Sequence, residues 1–200
     1  MRKTKDSYHH GDLRAALLAA GEAVLTETGV EGFSLRLVAK RVGVSHSAPA
    51  HHFGDAQGLL TALAAEGFRR FLLAMQARQQ GAGEDPRLRL LASGHGYVDF
   101  AEAAPALFRL MFASDRITRE APNFAETSEA AFRHLVEDIA RLRGVSPFDN
   151  AAAMADVMAS WSMVHGFAEL LISNRMKTVS RLPKAEREAY FESVFCRTVA

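Results

Sequence analysis

Apolar residues recur at helical intervals along most of this chain, and the sharpest case is residues 34–53, SLRLVAKRVGVSHSAPAHHF. Leu35, Val38, Ala39 and Val42 follow the i, i+3, i+4, i+7 spacing that predicts a helix with one buried face. Ser34 stands where it caps the free N–H groups. Phe33 precedes the cap as a hydrophobic staple would. Gly43 follows as a left-handed terminator. Val44 then reads as a buried pivot, and Ser45 as the cap of a second short helix carrying His46, Ser47, His51 and His52. Helix, short glycine turn, helix is the helix-turn-helix pattern, whose second helix enters the DNA major groove. Taken alone, the same pattern also fits an ordinary helical hairpin.

The flanking segments predict further helices. Residues 12–28 carry a stripe of Leu13, Leu17, Ala20 and Val24, with Asp12 as cap and Gly29 as terminator. Together with the two helices after it, this one is expected to share a core of Leu17, Val24, Leu25, Phe33, Leu37, Val38, Val42, Val44 and Phe53. A first domain would then span residues 1–54. Asp55 caps a long helix reaching about residue 80, with too many large apolar residues for one thin stripe. This helix, 55–80, is the expected connector to a second domain over 55–200. Further helices are expected from Pro86, from Pro105 through PALFRLMFA, over residues 123–143, from an Asp149 cap to Ile172, and from Pro183 to about Val199. The expected fold is all-α, with about nine helices.

Composition narrows the function. A hydrophobic content of 48% and a charged content of 24% are those of a soluble globular protein. The formal net charge is only +1, so attraction to nucleic acid must come from a local basic surface. A single cysteine, Cys196, excludes an internal disulfide and a paired-cysteine metal site. No apolar run reaches membrane-spanning length and no signal-peptide core follows the basic start, which makes the cytoplasm the expected location. An enzyme is not expected: there is no glycine-rich phosphate loop, metal-ligand signature or nucleophile elbow. The basic start, with Arg2, Lys3 and Lys5, reads either as a solvated end or as an arm that meets phosphates or a minor groove.

An ordered set of residues carries a resemblance. Gly29, Gly32-Phe33-Ser34, Val38-Ala39, Val42-Gly43-Val44-Ser45, His52-Phe53-Gly54 and Leu59-Leu60 together resemble the tetracycline-repressor-like (TetR) family of bacterial transcription regulators. The segment WSMVHG, residues 161–166, resembles the C-terminal domain of a subgroup named for a Trp-His-Gly pattern. The resemblance implies a homodimer whose N-terminal domains read a palindromic operator on double-stranded DNA. It also implies a larger domain that binds a small-molecule effector and releases the DNA, the usual mode being repression. Two reading helices must meet major-groove faces roughly 34–36 Å apart, so a ligand that alters their spacing alters affinity. Two positions depart from the family pattern. Ala50 stands where a tyrosine is common and Ala56 where a lysine is common. Both family residues touch phosphates, so fewer such contacts and a shallower salt dependence are expected here.

The candidate DNA-binding residues are Arg36, Ser45, His46, Ser47, Ala48, His51 and His52, with Lys3 and Lys5 on the arm. His46 and Ser47 open the reading helix, where side chains meet base edges and a neutral imidazole offers one donor and one acceptor. Ala48 offers a methyl to thymine. Arg36 matches a family position that reaches DNA, where a guanidinium binds guanine bidentately or holds a phosphate. Lys40 and Arg41 lie opposite the apolar stripe and read as solvated. Pro49 is tolerated near a helix start.

Five of the eight histidines (His9, His10, His46, His51, His52) fall in this first domain. The alternative function is therefore regulation by a metal or by histidine titration, without an organic effector. Zinc takes about four ligands, and the adjacent pairs His9-His10 and His51-His52 present poorly to one ion. No metal site and no cofactor are assigned.

The candidate effector pocket is Phe100, Phe108, Met111, Phe112, Trp161 and His165. His95 is a further polar residue on an apolar face that must find a partner if buried. The last two helices are expected to pair with their symmetry mates in a four-helix dimer interface.

Overall fold

The computed structural model describes residues 10–198 as ten helices with no strand among them, so the chain is all-α as expected. They are α1 (His10–Thr28), α2 (Leu35–Val42), α3 (Ala48–Phe53), α4 (Ala56–Gln79), α5 (Pro86–Ala103), α6 (Pro105–Ala113), α7 (Pro122–Arg143), α8 (Ala151–Ile172), α9 (Lys177–Ser180) and α10 (Lys184–Thr198). The helix beyond the expected nine is α9, a single turn of four residues whose apolar periodicity is too short to read.

Local chemistry sets most boundaries. The Ser34 hydroxyl accepts from the Leu37 N–H at 3.4 Å, and Gly43, at φ 78°, ends α2 by donating its N–H to the Ala39 carbonyl. Asp55 accepts from the Gly58 N–H at 2.8 Å to open α4. Three expected caps are corrected. The α3 helix does not begin after Ser45 but at Ala48, with Pro49 in its first turn. A helix capped by Ser45 would place Pro49 beyond the first turn, where its ring clashes and its missing N–H breaks the ladder. The cap of α8 is Asn150, which accepts from the Ala153 N–H at 3.0 Å, rather than Asp149. At the other end of the chain, α1 already includes His10 and Gly11, so Asp12 lies inside its first turn.

Around α1, α2 and the start of α4, Leu17, Val24, Leu25, Phe33 and Val38 are buried against Leu59, Leu60 and Leu63. Val42, Val44 and Phe53 are half-buried at the edge of this core. Leu37, expected inside, is 39% exposed. It sits two residues after Leu35, about 200° round the helix from that stripe position. The buried cluster continues without a break along α4 into α5, α6, α7, α8 and α10, ending at Phe195. Close packing of α4 on α5 depends on Gly96, where a Cβ would stand 2.5 Å from the Ala74 carbonyl oxygen.

A polar group is sealed into that packing. Asp138 on α7, 2% exposed, accepts from Gln79 Nε2 at 2.7 Å and from Arg141 Nη1 at 3.0 Å. Gln79 also donates to the Arg89 carbonyl at 3.0 Å, tying the end of α4 to the start of α5. Charge pairs hold α10 in place: Arg78 bridges Asp99 and Glu188, and Arg187 meets Glu102 at 3.2 Å.

Candidate DNA-binding face and effector cavity

Arg36 is the second residue of α2 and is exposed, as are Ser45, His46 and Ser47 in the turn before α3 and His51 within it. Ala48 and His52 are half-buried, and Pro49 is buried. These residues therefore form one surface, except that Pro49 turns inward and anchors the short helix. The Ser45 and Ser47 hydroxyls lie 3.2 Å apart, and neither caps a backbone N–H. Ser47 has helical backbone angles, and Pro49 has removed one N–H that a cap would serve. The imidazole of His52 tilts against Phe53, whose other neighbour is the Arg14 guanidinium 5.2 Å from the ring centroid.

The basic residues of α2 separate by partner. Arg41 makes a two-pronged ion pair with Glu27, at 2.7 and 2.6 Å, which holds that carboxyl below its usual range. Among the described residues Arg36 and Lys40 have no such partner and remain available to an anion. Lys3 and Lys5 lie outside the described residues. His9 does too, and so does the His10 side chain. Among the described residues no group of three or more His, Cys, Asp or Glu side chains is placed to hold a metal ion.

A cavity of about 570 Å³ opens among α4, α5, α6, α7 and α8. Phe68, Phe71 and Met75 of α4, Tyr97 of α5, Phe124 and Phe132 of α7, and Val164 of α8 make much of its wall. Of the candidate pocket residues, Met111, Phe112 and Trp161 line it. Phe100, Phe108 and His165 do not; each stands behind the wall. Phe100 packs edge-on to Phe71, and Phe108, fully buried, packs against Phe112 and stacks on His165. On α6, Phe108 and Phe112 share a face one turn apart, and it is Phe112, nearer the end of the helix, that reaches the space. His165 meets the cavity through Tyr97, whose hydroxyl is hydrogen-bonded to Nδ1 at 2.7 Å. Burial pushes the Tyr97 phenol well above its ordinary range, against a smaller downward pull from the Trp161 indole N–H. Burial also lowers the His165 pKa, more than Glu169 raises it, so the imidazole is neutral.

His95 is not part of this cavity. Its Nε2 lies 3.2 Å from Glu192 Oε1, and its ring packs on Phe191, so α10 supplies its partner. Most of the wall lies outside the candidate set, Tyr97 and Ser160 included. Tyr97 was hidden in a helix read for His95, and Ser160, beside Trp161, was not singled out. Ser160 is 4% exposed, and its hydroxyl is buried without a hydrogen-bond partner.

An exposed helix-turn-helix face joined by one long helix to a hollow all-α bundle defines a DNA-binding transcriptional regulator. Residues 17–63 match the family described as "Bacterial regulatory proteins, tetR family", and residues 90–196 match "Tetracyclin repressor-like, C-terminal domain". The chain belongs to the TetR family of DNA-binding transcriptional regulators. It is similar to the HTH-type transcriptional regulator BetI of Stenotrophomonas maltophilia, at 27% identity over 126 residues, covering 63% of this chain and 64% of that one. The chain thus matches less than two thirds of that relative's length. A protein of unknown function from Rhodococcus sp. RHA1 has a similar solved structure, with a TM-score of 0.77, 31% identity, and coverage of 98% of this chain and 100% of that one. A TetR-like transcriptional regulator from the same organism shares the fold, with a TM-score of 0.63 at 16% identity over 96% of this chain and 97% of that one.

Proposed function

We propose that this regulator is a homodimeric repressor that binds a palindromic operator and is released by a small-molecule effector. The observation that carries this reading is the apolar cavity of about 570 Å³ in the same chain as the exposed reading surface. A space of that size falls in the range of sites for drug-sized ligands, roughly 300–1,000 Å³, and DNA reading alone does not require it. Residues 1–54 read DNA, residues 55–200 hold the effector and the dimer contact, and α4 connects them. Arg36, Ser45, His46, Ser47, Ala48, His51 and His52 form the contact surface, with Lys3 and Lys5 adding phosphate contacts from the arm. Met111, Phe112 and Trp161 touch the effector. Phe100, Phe108 and His165 support the wall behind them.

The dimer contact falls on α8 and α10. Met158 and Leu170 on α8 and Tyr190 on α10 are large apolar residues, each between 39% and 45% exposed, and a symmetry mate would cover them. We further propose that the chain is of the subgroup with the Trp-His-Gly pattern, on the resemblance of its Trp161-to-Gly166 segment in α8. The tie between His165 and the cavity residue Tyr97 supports that placement. Among the described residues no helix is long and apolar enough to cross a membrane. The proposed site of action is the cytoplasm, where the operator lies.

The test is selection of bound sequences from random duplex DNA, with sedimentation of the protein alone and with the selected duplex. The expected result is an enriched inverted repeat with half-sites one helical turn apart, bound by an even number of chains. Enrichment of no sequence, or a monomer in both measurements, rejects the proposal.

A further inference from the structure

The cavity carries more chemical detail than its volume. Among its lining residues the side chains able to carry charge are Arg119 and Glu129, and both are exposed, at its mouth. Each is already engaged. Arg119 Nη2 donates to the carbonyls of Phe112 and Ser114, at 3.4 and 3.2 Å, and Glu129 pairs with Arg133. Deeper in, the wall is aromatic and aliphatic. An ion seated there would lose its water and meet no countercharge, a penalty that only a partner of opposite sign offsets.

The wall is not wholly apolar. The Tyr97 hydroxyl is already engaged with His165. Ser93 adds a hydroxyl at 5% exposure. Ser160 is the group left over: buried in the wall of the same cavity, its Oγ has no partner among the described residues. Serine within a helix ordinarily donates to the carbonyl one turn back. Here it does not, and a buried hydroxyl left unpaired is a standing cost that an arriving partner removes.

We infer that the effector is an electrically neutral, mainly apolar molecule with one hydroxyl or carbonyl oxygen that meets Ser160. This rests on reading the cavity as the effector site. Ser160 gives such a molecule its orientation, and the aromatic wall gives it most of its affinity. A carboxylate or ammonium group seated beside Ser160 is disfavoured by the lack of a buried countercharge there.

The experiment uses the full chain and three ten-carbon probes: 1-decanol, decanoate and decylammonium. At about pH 8 the acid and the amine are both ionised. Trp161 is the sole tryptophan and lines the cavity, so its fluorescence reports occupancy directly, with calorimetry as a second readout. Decanol is expected to bind at least roughly tenfold more tightly than either ion. In Ser160→Ala its affinity should fall by roughly fivefold while the melting temperature does not drop, because the change removes an unpaired buried group. Either ion binding as tightly as decanol overturns the neutrality of the effector. Unchanged decanol affinity in Ser160→Ala overturns the role of that hydroxyl. Failure of all three probes to bind by both readouts overturns instead the underlying reading of the cavity as an effector site.

Discussion

The guanidinium of Arg116 donates to the Val30 carbonyl oxygen at 2.7 Å, joining the segment between α6 and α7 to the turn between α1 and α2. In the same segment the Thr118 N–H donates to Thr61 Oγ1 at 2.9 Å, and Arg119 lies at the cavity mouth. One short stretch of chain therefore touches the cavity, the connecting helix and the DNA-reading domain. Arg116→Ala should leave operator affinity without effector nearly unchanged and shrink the effect of the effector. Couplings of this kind are typically about 1–3 kcal/mol, and most of that should be lost. DNA titrations of both proteins with and without effector measure it; an equal effector response in the two would remove Arg116 from the route.

Arg36 is exposed and unpaired among the described residues, whereas Arg41 is held by Glu27. Arg36→Ala should weaken operator binding by about 1–3 kcal/mol if the contact is bidentate to a base. Arg41→Ala should change it far less. Equilibrium binding to the selected duplex decides the matter, and equal losses for the two would refute the distinction.

Ala50 is exposed on α3, and Ala56 is the first residue of α4. Ala56→Lys should add one phosphate contact and steepen the dependence of log affinity on log salt by about 0.9. Ala50→Tyr should tighten binding through a neutral hydroxyl with little change in that slope. Affinities measured across a salt series separate the two. A Lys variant with the parental slope would mean that the start of α4 does not reach the backbone.

Trp161 is 37% exposed, and its ring packs against Phe132 across the gap between α7 and α8. Removing so exposed a side chain leaves little void, so Trp161→Ala should fold and bind operator while its effector response is lost. Circular dichroism, DNA binding and effector titration on one preparation test all three. A variant that unfolds would assign the residue to packing instead.

The histidines set an acid limit on stability. Burial lowers the pKa of both His134 and His165, with nearby carboxylates opposing it, so both are neutral in the fold. In the unfolded chain a histidine titrates near 6.5, so on acidification the unfolded state takes up protons first. Stability is thus fully present above about pH 6.5 and falls as the pH drops through that value toward the lowered folded ones. With His165 protonated, both ring nitrogens are donors, so Nδ1 would donate to the Tyr97 oxygen. Urea midpoints measured from about pH 5 to 8 should fall on the acid side, and His165→Gln should flatten part of the fall. A midpoint independent of pH over that window would contradict the assignment.

Much of the fold could be read because its signals are local. Ser34, Gly43 and Asp55 act on N–H and C=O groups within a few residues, and their caps stand where the sequence places them. The errors came where a local signal met a constraint elsewhere. Pro49 moved the start of α3 past Ser45. Leu37 is apolar by type but lies off the buried face of α2. His95 needed a partner, but the partner was Glu192, 97 residues along the chain.

The sequence by itself determined that this chain is helical, where α2 begins and ends, and that it belongs to the TetR family. Apolar spacing and capping chemistry act at short range, and nothing distant overrides them for long helices. Only the tertiary structure decided which aromatic residues face an open space and which stand behind it. Phe108 and Phe112 are one helical turn apart and of one chemical type, yet one is sealed in the core and the other lines the cavity. Likewise, nothing in the residues around Ser160 reveals that its hydroxyl is unpaired, because whether a polar group finds a partner depends on every helix packed around it.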